Sequence, residues 1–486
     1  MDFIKPSLIL KSALGNPATR KLLNSISCWC KECQKNRLEV AIDLWIDRRR
    51  EACIKCRSAE KILSKLLEIG SISFGVSEKE IRNTFSDPYY GKGLACVLKG
   101  IAKFGITKPF TPGSPFMVVW DITHACNLKC KHCYATADKN SKNELNTEKA
   151  KLVIDKLDRA GVPIIAFSGG EPLVRKDFFE ISSYASGKGM YVAIATNATL
   201  IDKETARKMK DAGIRYVQIS LDGSNPETHD DFRGKEGVFE RTIEGIKNCV
   251  DQNFFVNIST VATHCNYEEI PEIIDLSEKL GADWFMVYNF IPVGRGKEIK
   301  EQDLTPKERE KLLKILWREL KARKKINVLT TAPQYARIAL QAEIGDRKIV
   351  PTHFYNLEFQ GKLVNLAEFI GGCGAGRFYC AIRPQGNIEP CVFFHLKVGN
   401  IIDEDLEKIW ENNNIFRELR NKDLLKPMCG TCEYRYNCGG CRARALSYFG
   451  DYLAPDPGCI KNESYMGLSN EMIFTNEKIL SGEGYD

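Results

Sequence analysis

Cysteine is the residue that most narrows what this chain can become: there are nineteen in 486 residues, and most fall into three groups. The opening residues, Met1 to Ser25, mix Lys and Arg into their apolar positions and lack the unbroken apolar core of an export signal. No stretch reaches the roughly eighteen apolar residues that suggest a bilayer span. A cytoplasmic, reducing setting is therefore expected, with peripheral membrane contact as its variant. Thiols in such a setting serve metals or redox chemistry rather than a disulfide framework.

The rest of the composition is that of a globular protein, with 43% hydrophobic and 27% charged residues. The net charge of +7 is spread along the chain, and nucleic-acid binding gains no support from it. No Gly-rich phosphate loop, catalytic triad or cobalamin-binding stretch stands out.

Three regions are expected. Residues 1–105 read as a helical N-terminal extension carrying Cys28, Cys30, Cys33, Cys53, Cys56 and Cys96, with one helix over Arg37–Arg50 and another ending near Gly70. Residues 106–325 alternate strands with amphipathic helices. The strands are Phe116–Ile122, Ile164–Phe167, Tyr191–Ala195, Tyr216–Leu221, Phe255–Val261 and Trp284–Phe290; helices such as Thr147–Ala160, Lys203–Ala212, Phe239–Gln252 and Ile270–Leu280 separate them. Six such units imply an α/β fold with a parallel sheet, open or curled into a partial (β/α)6 barrel, whose functional groups gather at the C-terminal strand ends. Residues 326–486 lose the alternation and are read as a C-terminal cysteine-rich domain held together by metal sites.

The first strand runs into Cys126-x3-Cys130-x2-Cys133. Three thiolates at this spacing can hold three irons of a [4Fe–4S] cube and leave the fourth iron open. Ser168-Gly169-Gly170-Glu171-Pro172 ends the second strand; its glycines allow a ligand close to the backbone, and its carboxylate can accept from a cation. Thr196-Asn197 ends the third strand and Ser220-Leu221-Asp222-Gly223 the fourth; Arg233 follows, and Pro292-Val293-Gly294-Arg295-Gly296 comes after the sixth.

With His132 as the ring before the last cysteine, this array resembles the radical S-adenosylmethionine superfamily. The resemblance implies that the cofactor's methionine moiety chelates the open iron. One-electron cleavage then releases a 5′-deoxyadenosyl radical that takes a substrate hydrogen. It also implies His132 near the adenine, Gly169, Gly170 and Glu171 at the methionine ammonium, and Arg233 at the methionine carboxylate. Asn197, Ser220 and Asp222 are implied toward the cofactor and its ribose, and Gly294 in an adenine-contacting loop. Ala198 stands where the family often has Gly. Asp121 and Thr123 read as positioning the loop, and no general base is assigned.

The C-terminal cysteines, Cys373, Cys380, Gly386-x4-Cys391, Cys429-x2-Cys432-x5-Cys438-x2-Cys441 and Cys459, are similar to the SPASM extension with its two auxiliary [4Fe–4S] clusters. The last pair is separated by two residues where the common pattern has three. Carried over by order, the first cluster takes Cys373, Cys380, Cys391 and Cys441, and the second Cys429, Cys432, Cys438 and Cys459. Two closed cubes would favour net oxidation. Structural zinc is the competing use of such pairs.

In the N-terminal region Cys30-x2-Cys33 and Cys53-x2-Cys56 have a zinc-type spacing. An unbroken Arg37–Arg50 helix would hold the pairs roughly 20 Å apart, so sharing one metal requires the chain to fold back. Buried free thiols, or pairing with Cys28 or Cys96, are the alternatives.

The function expected is oxidative modification or crosslinking of a peptide or protein, served by a reductase or ferredoxin-type electron donor. The same chemistry on a lipid or isoprenoid chain, a haem precursor or another small molecule comes second. The Met1–Ser27 segment, read as a basic amphipathic helix, keeps the lipid option open. A non-catalytic electron carrier or zinc scaffold is the reading from another class.

Overall fold

The computed structural model describes residues 16–463, apart from 75–76, 139–142, 343–346, 352–355 and 361–366. At the N-terminus a short hairpin, β1 (Trp29–Cys30) and β2 (Lys35–Asn36), sits among helices over Pro17–Ile26, Arg37–Trp45, Ile54–Phe74, Glu78–Phe85 and Pro88–Phe104. The central sheet then begins: β3 (Met117–Thr123), β4 (Ile164–Gly169), β5 (Tyr191–Thr196), β6 (Ile214–Ser220), β7 (Phe255–Ala262), β8 (Trp284–Asn289) and β9 (Asn327–Thr330). A separate hairpin, β10 (Arg347–Pro351) and β11 (Asn356–Gln360), precedes β12 (Tyr379–Ile382), β13 (Asn387–Glu389) and β14 (Gly399–Asn400).

The sheet order is β14-β13-β12-β3-β4-β5-β6-β7-β8-β9, parallel from β12 to β9 and antiparallel through β13 and β14, and it is not closed. All six expected strands are present. Two further parallel strands flank them, β9 and β12, both from the region read as lacking alternation. Each is only four residues long, too short to show a period. The cysteine-rich segment is thus continuous with the sheet through Tyr379↔Met117 and Ile382↔Trp120.

Each strand uses its two faces differently. Val118, Trp120, Ile165, Phe167, Val192, Val217 and Ile258 pack outward against Val153, Leu157, Ile181 and Ile273 of the covering helices, and all are buried. The opposite face carries small or polar residues, among them Ala195, Gln218, Ser220 and Ser259. The helix over Thr147–Ala160 shows how the crossovers are delimited. Asn146 accepts from Lys149 N at 3.0 Å at its start, and Gly161 ends it at a left-handed φ of 82°.

Two expectations about the N-terminal region are corrected. The helix read over Arg37–Arg50 stops at Trp45. Asp47 takes a left-handed φ of 63°, and Arg48 N and Arg49 N donate back to Asp43 O at 2.9 and 3.0 Å. The chain therefore folds back and returns Cys53 and Cys56 to Cys30 and Cys33. The helix beginning at Ile54 runs through Gly70 to Phe74, because a single glycine weakens a helix without having to end it. Of the Met1–Ser27 segment, residues 1–15 lie outside the described part. The helix over Pro17–Ile26 buries Leu23 and Ile26 in a core shared with Ile101 and Ala102, so its apolar side is taken up within the protein. No helix among the described residues is long and apolar enough to cross a membrane.

The N-terminal helices dock under the N-terminal ends of the strands. Arg215, at the start of β6, pairs with Asp87 at 2.6 Å, and the Tyr89 ring meets Tyr191, the first residue of β5, at 5.1 Å. Lys92 is 1% exposed and bridges Glu39, at 3.1 Å, and Asp158 of the Thr147–Ala160 helix. Burial pushes the Glu39 carboxyl up, with Lys92 opposing that shift. Removing the cation from such a buried cluster strands the two carboxylates. Lys92→Met is expected to lower stability by about 3–5 kcal/mol in denaturant unfolding, with part regained in Lys92→Met/Glu39→Gln.

Candidate active site and cysteine clusters

The loop after β3 is held against the turn after β4 by two backbone hydrogen bonds, Gly170 N to Thr123 O and Glu171 N to Ala125 O, both 2.8 Å. Gly169 adopts a φ of 118°, and a Cβ on Gly170 would lie 1.9 Å from Ala125 O. Only glycine fits at this contact. The same turn aims the Glu171 carboxylate inward, where it is 1% exposed. Its Oε1 accepts from Thr196 Oγ1 at 2.8 Å and Leu173 N at 3.2 Å, and its Oε2 from Asn197 N at 2.9 Å. Burial raises its pKa to about 7 against the pull of those donors.

Amide side chains extend the clamp. Asn197 Nδ2 donates to Asn127 Oδ1 at 2.9 Å, and Asn127 Nδ2 to Thr199 Oγ1 at 2.8 Å, tying the cysteine loop to the end of β5. Ala198, where the resembled family often has Gly, sits at a left-handed φ of 60° in full burial. A glycine conformation is thus kept there by a residue for which it is strained.

Cys126, Cys130 and Cys133 converge in this loop around Leu128 and Val238. Arg233 reaches in from the helix over Pro226–Arg233, its Nη1 3.7 Å from Cys130 Sγ and its Nη2 paired with Asp222 Oδ2. The His132 ring stacks on Phe232 at 4.3 Å and 9°. Burial, reinforced by Arg233 and Arg295, holds its pKa well below the usual histidine value, so the imidazole is neutral.

These groups wall a cavity of about 150 Å³. Of the expected cofactor contacts, His132, Gly169, Gly170, Glu171, Asn197, Ser220 and Arg233 line it beside the three cysteines. Asp222 and Gly294 do not. Asp222 stands behind Arg233 and accepts from Val261 N at 2.8 Å. Gly294 packs on the carbonyls of Cys133 and Tyr134, where a Cβ would come within 2.5 and 2.4 Å. Both support the wall from behind. Arg295, from the loop expected near the adenine, lines the cavity, and so do Gln218, Ser259 and Tyr288, which the motifs do not mark. Gln218 and Ser220 sit two apart in β6 and so share a face, which points to the cavity only once the facing of the strand is known.

Buried donors and acceptors without hydrogen-bond partners include His132 Nδ1, Arg233 Nε and Asn289 Nδ2. Unmet polar groups in a cavity wall, beside three thiols and a glycine cradle, fit a polar ligand and an iron–sulfur centre.

In the C-terminal segment Cys429, Cys432, Cys438 and Cys459 line one small cavity. Asp456 N and Asn462 Nδ2 each reach Cys429 Sγ at 3.4 Å, and Gly440 N reaches Cys438 Sγ at 3.4 Å. Cys373, Cys391 and Cys441 share one buried apolar cluster, where Tyr379 Oη donates to Cys391 Sγ at 3.0 Å. Cys380 corrects the expectation. Neighbouring residues in β12 point to opposite faces, and Tyr379 and Ala381 face the three cysteines while Cys380 and Ile382 face the main core. The first auxiliary group therefore brings together three thiols among the described residues, not four.

Comparison with known proteins agrees with this arrangement. Residues 120–277 match the model of the Radical SAM superfamily, and residues 373–433 that of an iron-sulfur cluster-binding domain, SPASM. An AdoMet-dependent heme synthase of Methanosarcina barkeri is 39% identical over 71% of this chain and 97% of that protein. Mycofactocin maturase MftC of Mycobacterium tuberculosis is 32% identical over 74% of this chain and 86% of its own. Streptococcus suis SuiB bound to S-adenosylmethionine superposes with a TM-score of 0.58 at 18% identity, covering 87% of this chain and 94% of SuiB, and shows a shared fold. Alignment with nearly the full length of the M. barkeri enzyme, on a sheet whose C-terminal ends carry three thiols and a glycine cradle, establishes that this chain belongs to the radical S-adenosylmethionine superfamily and bears a SPASM iron–sulfur domain.

Proposed function

We propose that Cys126, Cys130 and Cys133 hold an open-site [4Fe–4S] cube, that S-adenosylmethionine fills the adjoining cavity, and that the enzyme oxidises a substrate C–H bond. The convergence of three thiols with the Gly169-Gly170-Glu171 turn on one cavity carries this reading. Reductive cleavage of the bound cofactor supplies a carbon radical able to abstract hydrogen.

The protein's own part is positioning and exclusion of water. Glu171 Oε2 has one protein donor and keeps an acceptor site for the methionine ammonium. Arg233, with a free Nε, serves the carboxylate and offsets negative charge at Cys130. Ser220 and Gln218, which line the cavity from β6, would face the ribose, and neutral His132 would offer its free Nδ1 toward the adenine. Tyr134 donates to Asp121 Oδ1 at 2.8 Å and packs its ring on Phe393 at 5.1 Å, closing the edge where β12 meets β3. Cys429, Cys432, Cys438 and Cys459 hold one auxiliary cube in this proposal, and Cys373, Cys391 and Cys441 provide three ligands to a second. A reductase or ferredoxin-type protein supplies the electron.

For the substrate, the higher identity to haem synthases supports a haem precursor first. Loss of one hydrogen atom from a propionate arm, followed by carbon dioxide and one electron, leaves a vinyl group, and the electron released balances the one consumed in cleavage. The maturase among the relatives favours a second reading, oxidative modification or crosslinking of a peptide.

Anaerobic protein with dithionite and S-adenosylmethionine is expected to form 5′-deoxyadenosine, and the triple Cys126/Cys130/Cys133→Ala variant to fall to background. Iron without cleavage under any reductant overturns the proposal. Gly170→Ala, which drives a methyl into Ala125 O, is expected to slow cleavage about 100-fold, as misplacement of a reacting group by 1 Å does. With Fe-coproporphyrin III as probe, mass spectrometry should show propionate-to-vinyl conversion. Cleavage with the porphyrin unchanged moves the assignment to the peptide.

A further inference from the structure

The N-terminal cysteines lie far from this chemistry and are arranged differently. The sulfurs of Cys30, Cys33, Cys53 and Cys56 all lie within 4.8 Å of one another, and Cys30 Sγ is 3.6 Å from Cys53 Sγ. A tetrahedral tetrathiolate with bonds of about 2.3 Å spaces its sulfurs about 3.8 Å apart. A cube, with one cysteine on each of four irons, spreads them to roughly 6 Å. The eight C-terminal cysteines form no group this tight among the described residues. From this spacing we infer that Cys30, Cys33, Cys53 and Cys56 bind a single mononuclear zinc ion, a site distinct in kind from the iron–sulfur centres.

The local fold supplies the two arms of such a site. One is the β1–β2 hairpin, whose turn places Gln34 at a left-handed φ of 52° just after Cys33. The other is the first turn of the Ile54–Phe74 helix, where Cys56 N donates to Cys53 O at 3.0 Å. The arms are joined by Cys53 N donating to Cys33 Sγ at 3.5 Å. Apart from the cysteines, their shared core among the described residues holds only Val40, Leu44 and Ala52, too little apolar surface to fix the geometry without a metal.

Four protein thiolates leave no coordination position for substrate, so the ion is structural. Its placement agrees. Trp29 of β1 lies under Arg159 at 5.8 Å, at the end of the helix that leads into the start of β4. The Gly169-Gly170 turn is at the other end of that strand, about 20 Å away at 3.3 Å per residue. The ion would fasten the hairpin to the fold-back and so fix Glu39, which follows the hairpin and pairs with Lys92.

Metal analysis of the full-length, anaerobically purified protein tests the site. About one zinc per chain is expected, unchanged in the Cys126/Cys130/Cys133→Ala variant and lost in Cys53→Ser/Cys56→Ser, which keeps its iron and melts at lower temperature. Should the double variant fail to fold, the zinc-edge absorption spectrum of the wild-type protein decides, with four sulfur neighbours at about 2.3 Å expected. Mixed nitrogen or oxygen ligands, a Cys30–Cys53 disulfide, or four thiols open to alkylation in protein that still holds its iron each overturn the site. Mononuclear iron in place of zinc overturns the choice of metal.

Discussion

The contact between Gly170 and the carbonyl of Ala125 is the constraint on which the active region depends. Two loops from adjacent strands approach so closely that no side chain fits between them. That approach sets the cysteine loop, turns Glu171 into the end of β5, and lets the Asn127–Asn197 amides lock the loop from a third side. Parallel strands make this possible, because their C-terminal ends deliver successive loops to one place. The chemistry of the site follows from an arrangement of backbone before any side chain contributes.

A second set of constraints joins the C-terminal segment to the sheet through buried charge. Arg383 spans Asp121 of β3 and Glu389 of β13 and donates to Val392 O at 2.7 Å. Arg444 and Arg309 both pair with Asp303, whose carboxyl is held down at about 2 by them. Buried pairs contribute less to net stability than to uniqueness of geometry, since each cation left without its acid would be costly. Here they place Phe393 and the first auxiliary cysteines against the cavity edge.

The repeating parts could be read from the residue order, and the exceptions have physical reasons. Strands of six or more residues with helices between them announce a parallel sheet; β9 and β12 are too short to do so. Cys380 was drawn into a cluster by order along the chain, which ignores that Cys380 and Ile382 must share one face of a strand and Tyr379 and Ala381 the other. The fold-back after Trp45 was hidden because Asp47, not a glycine, takes the left-handed turn, as Asp tolerates better than most residues. The cavity residues legible from the residue order are those at strand ends that carry a recognisable motif. Gln218, Ser259 and Tyr288 lie inside strands, where a polar residue is noticed only once the facing of the strand is known.

The docking of the N-terminal helices bears on the order in which a growing chain can complete itself. Their internal contacts are near in sequence, with Cys30 and Cys53 only 23 positions apart. Some of their partners on the main body are not: Lys99 waits for Glu407, 308 positions later, and in the segment that follows the helices the carbonyl of Pro112 waits for Trp410, 298 positions later. During synthesis, then, the first hundred residues emerge as a unit able to form its own hairpin and helices long before its seat is complete. The helix over Leu406–Asn412 closes a seam whose other half was made first, so termination before it leaves Lys99 and Lys103 without their carboxylate partners.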